Sequence, residues 1–143
     1  MIDYDASGLP VVQIGAPGPE HLQFSAPTRP YDKEPTLDFL FTATGAWGSV
    51  ETSVETLDGD GLDTFFASLA EDFRGWEGAR VWHSLCRDLS LSAEHRGDVF
   101  LTWGIHDRAP SEGWHFETTV HAAGEDMRHL AAEIQTFLTS VPE

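Results

Sequence analysis

A period of two runs through the middle of the chain. Leu37, Phe39, Phe41 and Ala43 fall on one face and Asp38, Leu40, Thr42 and Thr44 on the other, the pattern of a strand with one buried side. Gly45 to Gly48 supplies a turn around Trp47. Val50, Thr52, Val54 and Thr56 then alternate with Glu51, Ser53 and Glu55, so the two runs read as a hairpin. The segment 57–61, Leu-Asp-Gly-Asp-Gly, breaks the sheet. After it the period changes to that of a helix: Leu62, Phe65, Phe66, Leu69 and Phe73 share a face, Asp60 or Asp63 stands ready to cap the start, and Gly75 ends the run.

Alternation resumes beyond Trp76. The stretch from Trp76 to Trp82 leads into a strand in which Leu85, Leu89, Leu91 and Ala93 oppose Asp88, Ser90, Ser92 and Glu94, and Arg96-Gly97-Asp98 turns the chain. Val99, Leu101, Trp103 and Ile105 follow against Phe100, Thr102, Gly104 and His106. After a loop holding Pro110, Trp114, Phe116, Thr118 and Val120 alternate with His115, Glu117, Thr119 and His121. A second helix carries Met127, Leu130, Ala131, Ile134, Phe137 and Leu138 on one face. The pattern predicts an α+β fold of order ββαβββα: an antiparallel sheet of five to six strands with both amphipathic helices on one face.

Residues 1–36 have a different texture. Six of the eight prolines lie there, at positions 10, 17, 19, 27, 30 and 35, which rules out a long helix and interrupts a central strand. This segment reads as a proline-rich arm with one leading edge strand over Val11 to Ile14, pinned to the body by Phe24 and Tyr31, while residues 37–143 form a single α+β domain.

Charge narrows the function. Twenty-four acidic residues against eight Lys and Arg give a formal net charge of −16. Such a surface repels phosphate backbones and anionic headgroups and attracts basic surfaces, so direct nucleic-acid and membrane binding are disfavoured. Cys86 is the single cysteine, which excludes an intrachain disulfide and a thiolate metal site and fits a cytoplasmic setting. The first residues, MIDYDASGLP, lack a signal-peptide pattern, and no run of 18 apolar residues occurs.

Chemistry is thinly encoded. His106, His115, Glu117 and His121 fall on the polar register of two neighbouring strands, the raw material of a two-His-one-carboxylate metal site. Along one strand, however, residues two apart stand about 6.8 Å from each other, so cross-strand neighbours would have to complete the ligand set. His95 and His129 read as surface residues. No HExxH, GxSxG or phosphate loop is present, Cys86 and His83 point to opposite faces of a strand, and the many carboxylate pairs follow from composition. No catalytic residue and no cofactor is assigned.

Five tryptophans stand out, with Trp47, Trp76 and Trp114 near strand ends or turns and Trp82 and Trp103 fitting the core. Aromatics beside acidic residues are a common make-up for an interface anchor ringed by charge.

Trp76-x-Gly78-x-Arg80-x-Trp82, Leu85, Leu89-x-Leu91, Gly97-x-Val99-x-Leu101, Trp114 and the helix from Gly124-Glu125 through Leu130, Ala131, Phe137 and Leu138 resemble an uncharacterised family of small acidic bacterial domains. That resemblance covers about half the chain and implies no activity. A looser similarity in size, acidity and class is to immunity proteins of bacterial toxin systems. The expectation is therefore an immunity-like or inhibitor-like binding protein that covers a basic partner protein, such as a nucleic-acid-acting toxin, with Glu51, Glu55, Asp58, Asp60, Glu117 and Trp47 at the contact. Two alternatives stand beside it: a small metal-dependent or ligand-binding enzyme using His106, His115, Glu117 and His121, and a homo-oligomeric structural domain.

Overall fold

The computed structural model describes residues 3–15, 20–72, 74–85, 87–106, 115–122 and 127–141; at 106, 115–118, 121 and 122 only the backbone is described. The elements are β1 (Asp3–Tyr4), β2 (Pro10–Ile14), β3 (His21–Thr28), β4 (Thr36–Gly45), β5 (Gly48–Leu57), α1 (Leu62–Glu71), β6 (Arg80–His83), β7 (Leu89–His95), β8 (Val99–His106), β9 (His115–Ala122) and α2 (Met127–Thr139). The α+β class, the antiparallel pairing and both helices match the sequence pattern. The single sheet does not: β1 to β5 form one five-stranded sheet and β6 to β9 a separate four-stranded one, each with its strands in chain order. The order is thus βββββαββββα, a meander followed by a helix, twice over, rather than ββαβββα.

Residues 1–36 carry three strands where the proline count suggested one. Pro10 opens β2, Pro35 immediately precedes β4, and Pro27 sits beside a bulge where Ala26 adopts φ +49° and the β3–β4 register shifts between Ser25 and Thr28. At strand starts and bulges a missing N–H costs little, so these prolines punctuate strands instead of breaking them. Between them Val12, Ile14, Leu22 and Phe24 supply fully buried side chains. Phe24 is indeed an anchor, whereas Tyr31 is exposed.

A second departure lies at the β6–β7 connection, where one long strand was expected. Ser84 N–H donates to Leu89 O (2.9 Å), Arg87 N–H donates to Ser84 O, and Arg87 takes φ +59°. Those bonds make a tight turn and leave Leu85 exposed rather than on the core face.

The helices pack on each other, and the inner faces of both sheets join them in one core. From α2, Phe137 sets its ring edge-on to Phe39 (5.8 Å) and Phe24 (6.4 Å). Phe41 of β4 meets Trp103 of β8 at 5.5 Å, which ties the two sheets together. Leu62, Phe65, Phe66 and Leu69 bury the expected face of α1; Phe73 lies outside the described residues. Gly61, with no side-chain cap, occupies the N-cap position that the pattern offered to Asp60 or Asp63.

Candidate functional site

The β4–β5 hairpin sets the geometry of the candidate surface. Its inward side chains, Leu37, Phe39, Phe41, Ala43 and Val54, are buried, which by alternation turns Asp38, Leu40, Thr42, Glu51, Ser53 and Glu55 to the opposite face. Register then fixes the neighbours: Asp38 stands opposite Glu55, Leu40 opposite Ser53 and Thr42 opposite Glu51. Thr42 Oγ1 donates to Glu51 Oε2 (3.2 Å), and Gln13 Nε2 to Gln23 Oε1 (3.1 Å), so one polar row crosses from β2 to β5. Like charges directly opposite each other, as at Asp38 and Glu55, disfavour the sheet and concentrate negative potential on this face. No lysine or arginine occurs in β2 to β5.

Trp47 sits at the hairpin tip, 41% exposed. Its indole leans on Trp103 at 6.3 Å, so one edge closes the core while the rest faces outward. Trp103 and Trp82 are buried, Trp76 is partly buried, and Trp114 lies outside the described residues.

Asp58 and Asp60 occupy a different place from Glu51 and Glu55. The chain turns through four successive positive φ values at residues 58–61 (51°, 88°, 51° and 77°). Asp58 pairs with Arg29 at 2.7 Å, and Arg29 also donates from Nε to Val141 O. Asp60 accepts the Leu57 N–H on Oδ1 (3.2 Å) and the Leu85 N–H on Oδ2 (2.6 Å), while its carbonyl accepts the Trp82 indole N–H. These two carboxylates hold the turn before α1 against β3, β5 and the β6–β7 turn.

The second sheet carries the histidine register. His115 pairs with His106, Glu117 with Gly104 and His121 with Phe100. Thr102 and Thr119, which share that parity, meet at 2.8 Å. The sheet thus brings His106 and His115 together, but His121 lies six residues from His115, roughly 20 Å along the strand, too far to share an ion. Among the described residues no group of three His, Cys, Asp or Glu is placed to hold a metal. His83 contacts Ser84 O through Nδ1, His95 stacks edge-on to Trp76, and Cys86 lies outside the described residues.

Asp88 is the residue that alternation concealed. It is 3% exposed; Oδ1 accepts the Ser84 hydroxyl and Oδ2 the Glu55 N–H (3.4 Å), linking the β6–β7 turn to the edge of β5. Its polar register just before β7 looked solvent-facing, and only the neighbouring sheet buries it. Two cations lie over rings: Arg80 binds Asp72 (2.7 Å) and covers the Trp76 ring, and Arg96, itself exposed, lies over Phe100.

Among the described residues, no helix is long and apolar enough to cross a membrane. No curated protein and no solved structure matches the chain. A family model does match, over residues 14–141, beginning far upstream of the Trp76 motif. With nearly its whole length covered, the chain belongs to DUF6228, a family of unknown function.

Proposed function

We propose that this chain is an acidic cytoplasmic protein-binding domain, immunity-like or inhibitor-like, that covers a basic surface of a partner protein. One observation carries the reading: a sheet face bearing Asp38, Glu51 and Glu55, with no lysine or arginine in its four long strands, on a chain of net charge −16. Such a face steers a cationic partner from about a Debye length away, ~8 Å at physiological salt, and its carboxylates then stand where phosphates bind on a nucleic-acid-acting enzyme. Trp47, half exposed at the rim, supplies an apolar anchor.

The test is affinity capture from the source cell with the wild-type chain and with Glu51→Lys/Glu55→Lys, washed at low and high salt. A stoichiometric basic protein, held by wild type at low salt and lost by the variant, is the expected result. Equal retention by both chains removes this face from the reading; recovery of the bait alone at every salt removes the reading itself. A second reading, a metal-dependent or ligand-binding enzyme, draws on the pairing of His106 with His115. Zinc that raises the melting temperature at one equivalent, with the gain lost in His115→Ala, would favour it.

A further inference from the structure

Resting on the binding reading above, the geometry points to the mode of contact: we propose that the open edge of β5, from Ser49 to Ser53, takes up an extended cationic segment of the partner as an added strand. Gly45 and Gly48 pair across a two-residue turn, so Val50, Thr52, Val54 and Thr56 exchange their backbone bonds with β4. Ser49, Glu51, Ser53, Glu55 and Leu57 turn their N–H and C=O groups away from the sheet. Two observed bonds bear this out, because the amides of Glu55 and Leu57 donate to the carboxylates of Asp88 and Asp60. Those carboxylates close the C-terminal half of the edge.

Among the described residues the N-terminal half stays open. Among the described residues no partner meets the outward amides of Ser49, Glu51 and Ser53, and all three side chains are exposed. A five-residue edge of about 17 Å offers three donors and three acceptors, the template that strand addition uses.

Charge selects the occupant. A second copy pairing antiparallel about Glu51 would set Glu51 against its own counterpart, between two chains that each carry −16. A segment with lysine or arginine at alternate positions meets the opposite condition. Its residue across from Glu51 shares the outer face with that carboxylate, and the residues between lie beside Val50 and Thr52, where small apolar side chains fit.

The probe is an acetylated, amidated hexapeptide of alternating lysine and valine, titrated into the full-length ¹⁵N-labelled chain at low salt. Amide exchange is read with and without peptide. In the free chain the amides of Ser49, Glu51 and Ser53 should exchange fast and those of Val50, Thr52 and Val54 slowly; bound peptide should slow the first three about tenfold, as one new hydrogen bond each would do. A peptide N-methylated on its lysines keeps every charge but loses its donors, and should bind at least about tenfold more weakly. Ser53→Pro removes one outward donor without touching the β4 ladder and should weaken binding in the same way; if it does not fold, the N-methylated peptide carries the test.

Equal binding of both peptides, with the three amides unprotected, overturns strand addition and leaves electrostatic binding standing. Equal binding of a glutamate–valine peptide overturns the cationic preference. If neither peptide binds while a basic protein is captured by wild type and lost by the Glu51/Glu55 variant, the edge is not the site. If no basic partner is captured either, the binding reading falls with it.

Discussion

Replacing Asp60 by alanine should damage stability far more than its place in a surface turn suggests. The carboxylate accepts two backbone amides, Leu57 at 3.2 Å and Leu85 at 2.6 Å, and so clips the end of β5 to the β6–β7 turn. Both amides belong to residues that are about half exposed, so water reaches them once the carboxylate is gone. That brings each bond down from the range for charged acceptors to that of an ordinary intramolecular hydrogen bond, about 1–1.5 kcal/mol. Asp60 also holds φ +51°, a conformation that aspartate tolerates and alanine resists by about another 1 kcal/mol. The total is about 3–4 kcal/mol for Asp60→Ala.

Asp60→Asn separates the terms. It keeps the left-handed preference and one acceptor oxygen but turns a donor toward the second amide, so about 1–2 kcal/mol should be lost. Urea unfolding followed by far-UV circular dichroism measures both, with the slope unchanged and only the midpoint moving. An alanine variant within about 0.5 kcal/mol of wild type would refute the clip, since that is the range of substitutions at featureless surface positions. The same variant should associate with a basic partner at the wild-type rate, because the Asp60 carboxylate is turned into the chain.

Other perturbations separate core, turn and surface. Gly59 is buried at φ +88°, and a Cβ there would stand 2.7 Å from Leu138 Cδ1; Gly59→Ala should cost about 2–3 kcal/mol by the same urea assay. Phe137→Ala empties the ring site between Phe24 and Phe39 and should cost about 3–5 kcal/mol, with a raised exposure of the α2 amides to exchange. At Gly45 an added Cβ would lie 2.8 Å from Trp47 Cε2, so Gly45→Ala should push the indole off Trp103 and shift its fluorescence to the red, at about 1 kcal/mol or less in stability; an unshifted spectrum would contradict the packing of Trp47. Light scattering should give a monomer at low salt, as expected for chains of net charge −16 that repel each other.

Periodicity alone located the β4–β5 hairpin, β8, the apolar faces of α1 and α2, and the outward placement of Glu51 and Glu55. These are local matters: side-chain direction repeats every two residues on a strand and about every 3.6 on a helix, whatever lies nearby. Composition alone motivates the proposal of a cationic partner, through the net charge of −16. The division into two sheets was not legible, because alternation assigns faces and says nothing of which strand lies beside which. Nor was the strand content of residues 1–36, where prolines at strand starts and at a bulge look the same in sequence as prolines that break a strand. Asp88 and Asp60 show the same limit at the level of single residues. Asp88 read as a solvent-facing acid and Asp60 as a helix cap or a contact residue, and only the approach of the β6–β7 turn to the end of β5 converts one into a buried link between sheets and the other into a clip. Which carboxylates remain free for a partner is decided by those long-range contacts, since a charge is spent or available according to the amides that folding brings to it.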